Sequence, residues 1–383
     1  MSKKKILFID TPDALKKFAS EISNQPWLAL DTEFLRERTY RPELCLLQIA
    51  AGNRVACIDP LKLDSIDPIL DVLYRPDIIK VLHAASQDLE IFYWLRNEVP
   101  VNLFDTQIAA PLLGYQEQIG YANLVGEVLG VSLSKSHSRA DWTRRPLPQE
   151  QIDYAADDVI YLARMYPLMR DKLTELARLQ WLDSEWQGLT RAELYEKPAD
   201  DVWKKLRGID KLKGPRLAVA QQLAKWRELT ARERNLPRSW LVKDDVLLDL
   251  AKQMPVNTAE LKHIRGLSEG SIRNHGKSLV QCIEESKKLT PKVLEYSKRK
   301  TKLTPNQDAM LDLLTTVVKI HARDLEINPS ILAPRKSIES LIQGNTDTAV
   351  TQGWRGKLIG PALQSVLSGE KQLHIDDGTV VIS

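Results

Sequence analysis

The hydrophobic period of this chain changes once, near residue 200, and that change limits the folds open to it. Over the first 115 residues, short strand-like runs alternate with helix-like ones. Segments 6–10, 27–34, 45–50, 55–58, 78–82 and a short run ending at Leu103 read as strands, with a Gly52-Asn53 turn between the third and fourth. Helices are expected over 12–22, with Thr11 as N-cap and Pro12 at the first position, over 66–73, over 86–96 with Ser86 as cap, and from Asp105 to 113. Strands mixed with crossover helices imply an α/β fold, a mixed sheet flanked by helices. From 148 to 189 the pattern is helical, with Pro167 marking a kink.

After residue 200 no strand signal is read. Two helical modules, 210–288 and 303–370, follow on either side of a Lys/Arg-rich linker (Lys298, Arg299, Lys300, Lys302). The second reads as a diverged repeat of the first at an offset of 91 residues: Ala231-Arg232-Glu233 matches Ala322-Arg323-Asp324, and Ser239, Leu241 and Leu250 match Ser330, Leu332 and Leu341. The 383 residues are therefore expected to divide at 1–205, 206–290 and 300–383, as one α/β domain followed by two all-α helical bundles.

Charge follows the same division. Residues 1–200 carry 23 Lys+Arg against 30 Asp+Glu, whereas 201–300 carry 23 against 12. A basic middle module suits a polyanionic partner as well as it suits a solvated surface. Cys45, Cys57 and Cys282 form no CxxC pair, which argues against a zinc ribbon or a disulfide framework and fits a reducing compartment. The apolar run at 6–9 is too short for a signal peptide or a membrane span, so the expectation is a cytoplasmic monomer with no membrane association.

Three acidic sites lie on these elements. In Trp27-Leu-Ala-Leu-Asp31-Thr-Glu33-Phe34, strand alternation puts Asp31 and Glu33 on one face, about 7 Å apart, and Leu28, Leu30, Thr32 and Phe34 on the other. Two carboxylates on an apolar strand are costly unless neutralised, and a divalent cation with oxygen ligands does this; an exposed acidic edge strand is the other reading. Asp88 falls in the first turn of the 86–96 helix, where an acid is favourable in any case. In Tyr154-Ala-Ala-Asp157-Asp158, Tyr154 and Asp158 share a helix face at i,i+4, whereas Asp157 points away. Each site alone fits an ordinary surface. His83 has no second histidine at metal-ligand spacing and reads as structural.

Taken together, Asp31, Glu33, Asp88, Tyr154 and Asp158 resemble the motif set of the DEDD family of 3′→5′ exonucleases, in its tyrosine subgroup. The run from Val131 to Leu147, which contains Lys135, Arg139, Trp142, Arg144 and Arg145, is similar to one in the bacterial ribonuclease D family, and the helical modules resemble tandem HRDC domains. The resemblance implies a ribonuclease H-like fold and two divalent cations, magnesium by default and manganese as a substitute. Asp31, Glu33 and Asp158 would hold the first cation, with Asp31 bridging to the second and Asp88 acting on that second one. Tyr154 would orient the attacking water. The implied activity is a 3′→5′ exoribonuclease that releases 5′-nucleoside monophosphates from RNA with a free 3′ end, tRNA precursors in particular. A DNA exonuclease of repair or proofreading type and an inactive nucleic-acid-binding adaptor are the alternatives.

Lys135, Arg139, Arg144 and Arg145 are candidates for phosphate contacts, and Trp142 for packing or stacking. Phe34 could stack on a terminal base, although its alternation opposite Asp31 favours core packing. In the first helical module Lys204, Lys205, Lys211, Lys213, Arg216, Arg232, Arg234 and Arg238 are available to a polyanion. The near-neutral second module suits packing against the catalytic domain.

Overall fold

The structure, a computed structural model, describes residues 5–133, 140–292 and 302–383. Its N-terminal half is built on a six-stranded sheet of β1 (Ile6–Ile9), β2 (Trp27–Leu35), β3 (Glu43–Ala51), β4 (Arg54–Ile58), β5 (Ile79–Leu82) and β6 (Leu103–Asp105), in the order β1-β4-β3-β2-β5-β6. β3 runs antiparallel to both of its neighbours, and the β1–β4, β2–β5 and β5–β6 pairs are parallel. Both faces of this sheet are covered, which is why β3 and β4 read as nearly unbroken apolar runs.

Alternation along the strands assigns the two faces. Leu28, Leu30, Ile49 and Ile58 pack with α1 (Pro12–Ile22), α2 (Asp67–Leu73) and α3 (Ser86–Arg96). Ala29, Val55 and Val81 belong to a second cluster with α6 (Gln149–Glu175). Between α3 and α6 lie β6, the short α4 (Thr106–Ala109), which continues as a 3-10 turn, and α5 (Tyr121–Leu129), a helix the sequence reading did not anticipate. α6 runs through Pro167 and is followed by a 3-10 turn and α7 (Asp183–Leu189), so the 148–189 segment is not one helix.

The first helical module consists of α8 (Gly214–Arg234), α9 (Arg238–Leu241), α10 (Asp244–Gln253) and α11 (Glu269–Ser286), around a core of its own that includes Trp203, Leu223, Leu250 and Leu279. The second consists of α12 (Pro305–Asp324), α13 (Pro329–Leu332), α14 (Arg335–Ile342), α15 (Gly353–Leu358) and α16 (Gly360–Leu367). α8, α9, α10 and α11 start at 214, 238, 244 and 269, and α12, α13, α14 and α16 at 305, 329, 335 and 360, a constant shift of 91 residues. The expected absence of strands beyond residue 200 is overturned: β7 (Leu373–Asp376) and β8 (Thr379–Ile382) form an antiparallel hairpin. Its signal is Asp377-Gly378, both at positive φ, between two short apolar runs.

The two modules meet the N-terminal half by different physics. The first docks through polar groups. Glu228, its side chain 1% exposed, accepts from the Tyr40 hydroxyl at 2.5 Å and pairs with Arg232 and Arg238, and the Arg41 amide donates to Asn235 Oδ1 at 3.0 Å. The second docks through stacked rings, Trp181 on Trp354 at 4.8 Å, flanked by an Arg355–Glu185 ion pair. Among the described residues no helix is long and apolar enough to cross a membrane.

Candidate active site

β2 leaves the core at Asp31, on the sheet face that α6 covers. Ahead of it Ala29 is fully buried; Asp31 and Glu33 are only partly so. The β2–β3 register shifts between Glu33 and Phe34, an irregularity that re-aims the side chains at the strand's end. From α6, Asp158 meets the two strand carboxylates. One oxygen from each of Asp31, Glu33 and Asp158 lies within 4.8 Å of the others. Asp88, in the first turn of α3, is 7% exposed and stands outside that triad; its carboxylate accepts from Thr32 Oγ1 at 2.5 Å. Thr32 was placed only on the face opposite Asp31 and Glu33, and this bond fixes Asp88 to the strand that carries them.

Buried like charges without a counter-ion hold their protons. Burial first, then Asp158, Asp88 and Glu33, push Asp31 well above the usual carboxylate range. Burial followed by Asp158 and Asp88 lifts Glu33 to about 8. Burial raises Asp88 to about 7 against the Thr32 bond, and burial with Asp157 raises Asp158 to about 7. Among the described residues no lysine or arginine makes an ion pair with any of the four. An all-oxygen donor set that lacks a protein cation fits a hard divalent metal. Tyr154, in the second turn of α6, has its hydroxyl pushed up to about 12 by burial and then by Asp158, Glu33 and Asp31.

Several residues that sequence reasoning passed over hold this arrangement. Asp105, at the end of β6, accepts from the Ala84 and Ala85 amides at 3.1 and 2.8 Å and caps α4 through Gln107 at 2.8 Å. It thereby holds the turn into α3, where Ala84 takes φ +57° and Ser86 is the first helical residue and not the cap. The Tyr121 hydroxyl donates to the Asp158 carbonyl and, at 3.2 Å, to that of Asp157. Its ring meets His83 edge-on at 5.5 Å, and His83 Nδ1 lies 2.9 Å from Thr106 Oγ1, in keeping with a structural histidine. Gln48 pairs with Asp31 across the β2–β3 ladder; it is fully buried, and neither polar atom of its amide has a partner among the described residues. Only Gln48 had a sequence signal, as a polar break in an apolar strand.

The surrounding candidates separate. Arg145 is not available to a phosphate: its guanidinium bonds both oxygens of buried Asp59 at 2.6 and 2.8 Å and the carbonyls of Cys45 and Trp142 at 2.7 Å. Trp142 is 5% exposed and stacks beside Tyr154 with ring centroids 6.4 Å apart, a packing role and not an open platform. Arg144 is exposed, and Phe34 is partly buried against the α1–α3 core. Lys135 and Arg139 lie outside the described residues. Arg232 and Arg238, expected to be free for a polyanion, are engaged by Glu228 at the domain seam.

Comparison with known proteins agrees with this geometry. A family model described as 3′-5′ exonuclease matches residues 6–174, and one described as HRDC domain matches 216–283. The curated ribonuclease D of Sphingobium indicum is 38% identical over 370 residues, 95% of each chain, and that of Zymomonas mobilis is 37% identical over 96% of each. The crystal structure of Escherichia coli RNase D, described as an exoribonuclease involved in structured RNA processing, superposes with a TM-score of 0.79 at 33% identity, covering 96% of this chain and 100% of that one. One HRDC domain is matched, in the first module, where two were expected. This chain belongs to the ribonuclease D family, whose members are 3′→5′ exoribonucleases.

Proposed function

We propose that the protein uses two divalent cations, magnesium or manganese, to hydrolyse the last phosphodiester of an RNA with a free 3′ end, releasing 5′-nucleoside monophosphates. Its substrates in this reading are tRNA precursors and other small structured RNAs, processed by a monomer in the cytoplasm. The carrying observation is the triad of carboxylate oxygens within 4.8 Å of one another, with no neutralising protein cation among the described residues. Asp31, Glu33 and Asp158 would hold one cation, and Asp88, with Asp31 bridging, the other. When bound, the cations supply hydroxide at neutral pH and shield the charge developing on the leaving 3′-oxygen.

The chain's own groups do the rest. Tyr154 keeps its proton at neutral pH, where an ordinary tyrosine hydroxyl is un-ionised. It therefore orients the attacking water by hydrogen bonding and does not deprotonate it. Thr32 and Asp105 fix Asp88, and Tyr121 fixes the α6 backbone at Asp158. The second helical module is read as a diverged HRDC domain, on the strength of the constant 91-residue shift of its helices. The structured-RNA substrate is supported by the description of the Escherichia coli relative.

The test uses 5′-labelled RNA and DNA strands with free or blocked 3′ ends. A one-nucleotide ladder from free-ended RNA, dependent on Mg²⁺ or Mn²⁺ and lost in Asp31→Ala, is expected. A ladder that survives chelation would refute the metal reading, and equal turnover of DNA would refute the RNA preference.

A further inference from the structure

β3 carries a glutamine, Gln48, in the middle of an otherwise apolar run from Leu44 to Ala51. Leu46 and Ala50 belong to the cluster under α6, whereas Leu47 and Ile49 belong to the cluster with α1, α2 and α3. Strand alternation therefore turns Gln48 towards α6, where it is fully buried. The ladders set Asp31 of β2 on one side of it and Cys57 of β4 on the other. Residues directly opposite each other share a sheet face, with Cβ atoms about 4.5–5.5 Å apart. The Gln48 amide thus lies between a carboxyl group and a thiol.

Neither Nε2 nor Oε1 of Gln48 has a hydrogen-bond partner among the described residues. The Cys57 thiol donates elsewhere, to the Ile152 carbonyl at 3.8 Å. Asp59, the next position of β4's run on the same face, is taken by Arg145 at 2.6 and 2.8 Å. The polar neighbour that remains is Asp31. An amide shut away from water without a partner costs stability, and an apolar side chain of the same shape avoids that cost. Packing alone would be served better by leucine or methionine, so the glutamine calls for another role.

We infer that Gln48 is a positioning residue for Asp31, donating from Nε2 to the Asp31 carboxylate when that carboxylate holds a divalent cation. A carboxylate offers about four lone-pair sites; bridging two cations uses two of them and leaves room for an amide. The two side chains are cross-strand neighbours, so the bond needs no movement of the backbone. A buried donor behind a metal ligand fixes the ligand's orientation and raises its affinity for the metal. The inference rests on Asp31 as a metal ligand, and it adds the residue that orients that ligand.

The experiment compares the full chain with Gln48→Met, an unbranched apolar side chain of similar length, and with Gln48→Leu as a second shape. Melting of the chelated protein reads the fold, and titration with Mn²⁺, followed by the paramagnetic signal of the free ion, reads the site. In Gln48→Met the chelated Tm is expected to rise by about 2 °C, because the stranded amide is gone. Its Mn²⁺ affinity is expected to fall roughly 10–100-fold. The Mn²⁺ concentration that gives half-maximal RNA hydrolysis rises by the same factor, while KM for RNA at saturating metal stays at the wild-type value. In an Asp31→Asn background Gln48→Met adds no further loss of Mn²⁺ affinity, since it acts through Asp31. Wild-type Mn²⁺ affinity in either Gln48 variant, whatever its chelated Tm, would overturn the inference; so would a loss that simply adds to that of Asp31→Asn. Unchanged Mn²⁺ affinity in Asp31→Asn alone would instead bring down the metal reading, and this inference with it.

Discussion

At the scale of single residues, the carboxylate cluster stores repulsion that a metal would relieve. In metal-free protein Glu33 holds its proton until about pH 8, while an unfolded glutamate releases it near 4.5. The folded state then binds more protons than the unfolded state across that window, so stability falls as pH rises through it. Melting of the chelated protein should show Tm declining from pH 5 to pH 8, and Mg²⁺ should restore more Tm at pH 8 than at pH 5. Asp31→Asn removes the cost of keeping a carboxyl protonated, or its charge uncompensated, in this cluster. It is expected to raise the metal-free Tm at pH 8 while lowering kcat by roughly a hundred-fold or more; a lowered Tm would contradict the repulsion. Tyr154→Phe keeps the ring beside Trp142 and removes only the hydroxyl. Its kcat should drop about a hundred-fold with KM unchanged, as single-turnover rates would show.

At the scale of elements, what could be read from sequence was whatever depends on local period. Asp31 with Glu33, and Tyr154 with Asp158, were legible as pairs because a strand and a helix each fix which neighbours share a face. The strand limits came out within a residue or two for the same reason. What was hidden depends on contacts between elements distant in sequence. Nothing near Arg145 announces that its partner is Asp59, and nothing near Thr32 announces Asp88. The C-terminal hairpin is a different kind of miss, since Asp377-Gly378 was readable and was overlooked. Asp105 shows what the hidden contacts do. Its carboxylate gathers amides from the turn before α3 and from the start of α4. Asp105→Ala should therefore destabilise the fold by about 1–3 kcal/mol and, by loosening Asp88, reduce activity even where the protein remains folded. Equilibrium denaturation paired with single-turnover rates would separate the two effects.

At the scale of the whole molecule, the two helical modules repeat each other in outline yet serve the N-terminal half differently. The first is joined by a buried acid whose charge is satisfied from both sides of the seam. Burial alone would raise the Glu228 carboxyl, but Arg238, Tyr40 and Arg232 outweigh it and hold it below the usual glutamate range. Glu228→Gln leaves Arg238 without its anion and Arg232 with Glu196 alone, at a cost of roughly 3 kcal/mol. The expected result is a first module that melts separately in calorimetry and becomes sensitive to proteolysis near Pro198, while dinucleotide turnover persists. A single cooperative transition at the wild-type Tm would refute this.

The stack of Trp181 on Trp354 matters for the order in which the chain is made. Synthesis delivers the carboxylates well before Trp354, and chains fold by units as they emerge. Until α15 has left the ribosome, Trp181 lacks its stacking partner, and until α12 has, Arg178 lacks the Leu325 carbonyl it bonds in the finished protein. The half that cuts RNA is thus completed by residues far downstream of it in the chain. A chain that stops before Trp354 lacks the ring that stacks on Trp181 and exposes apolar surface that the finished fold covers.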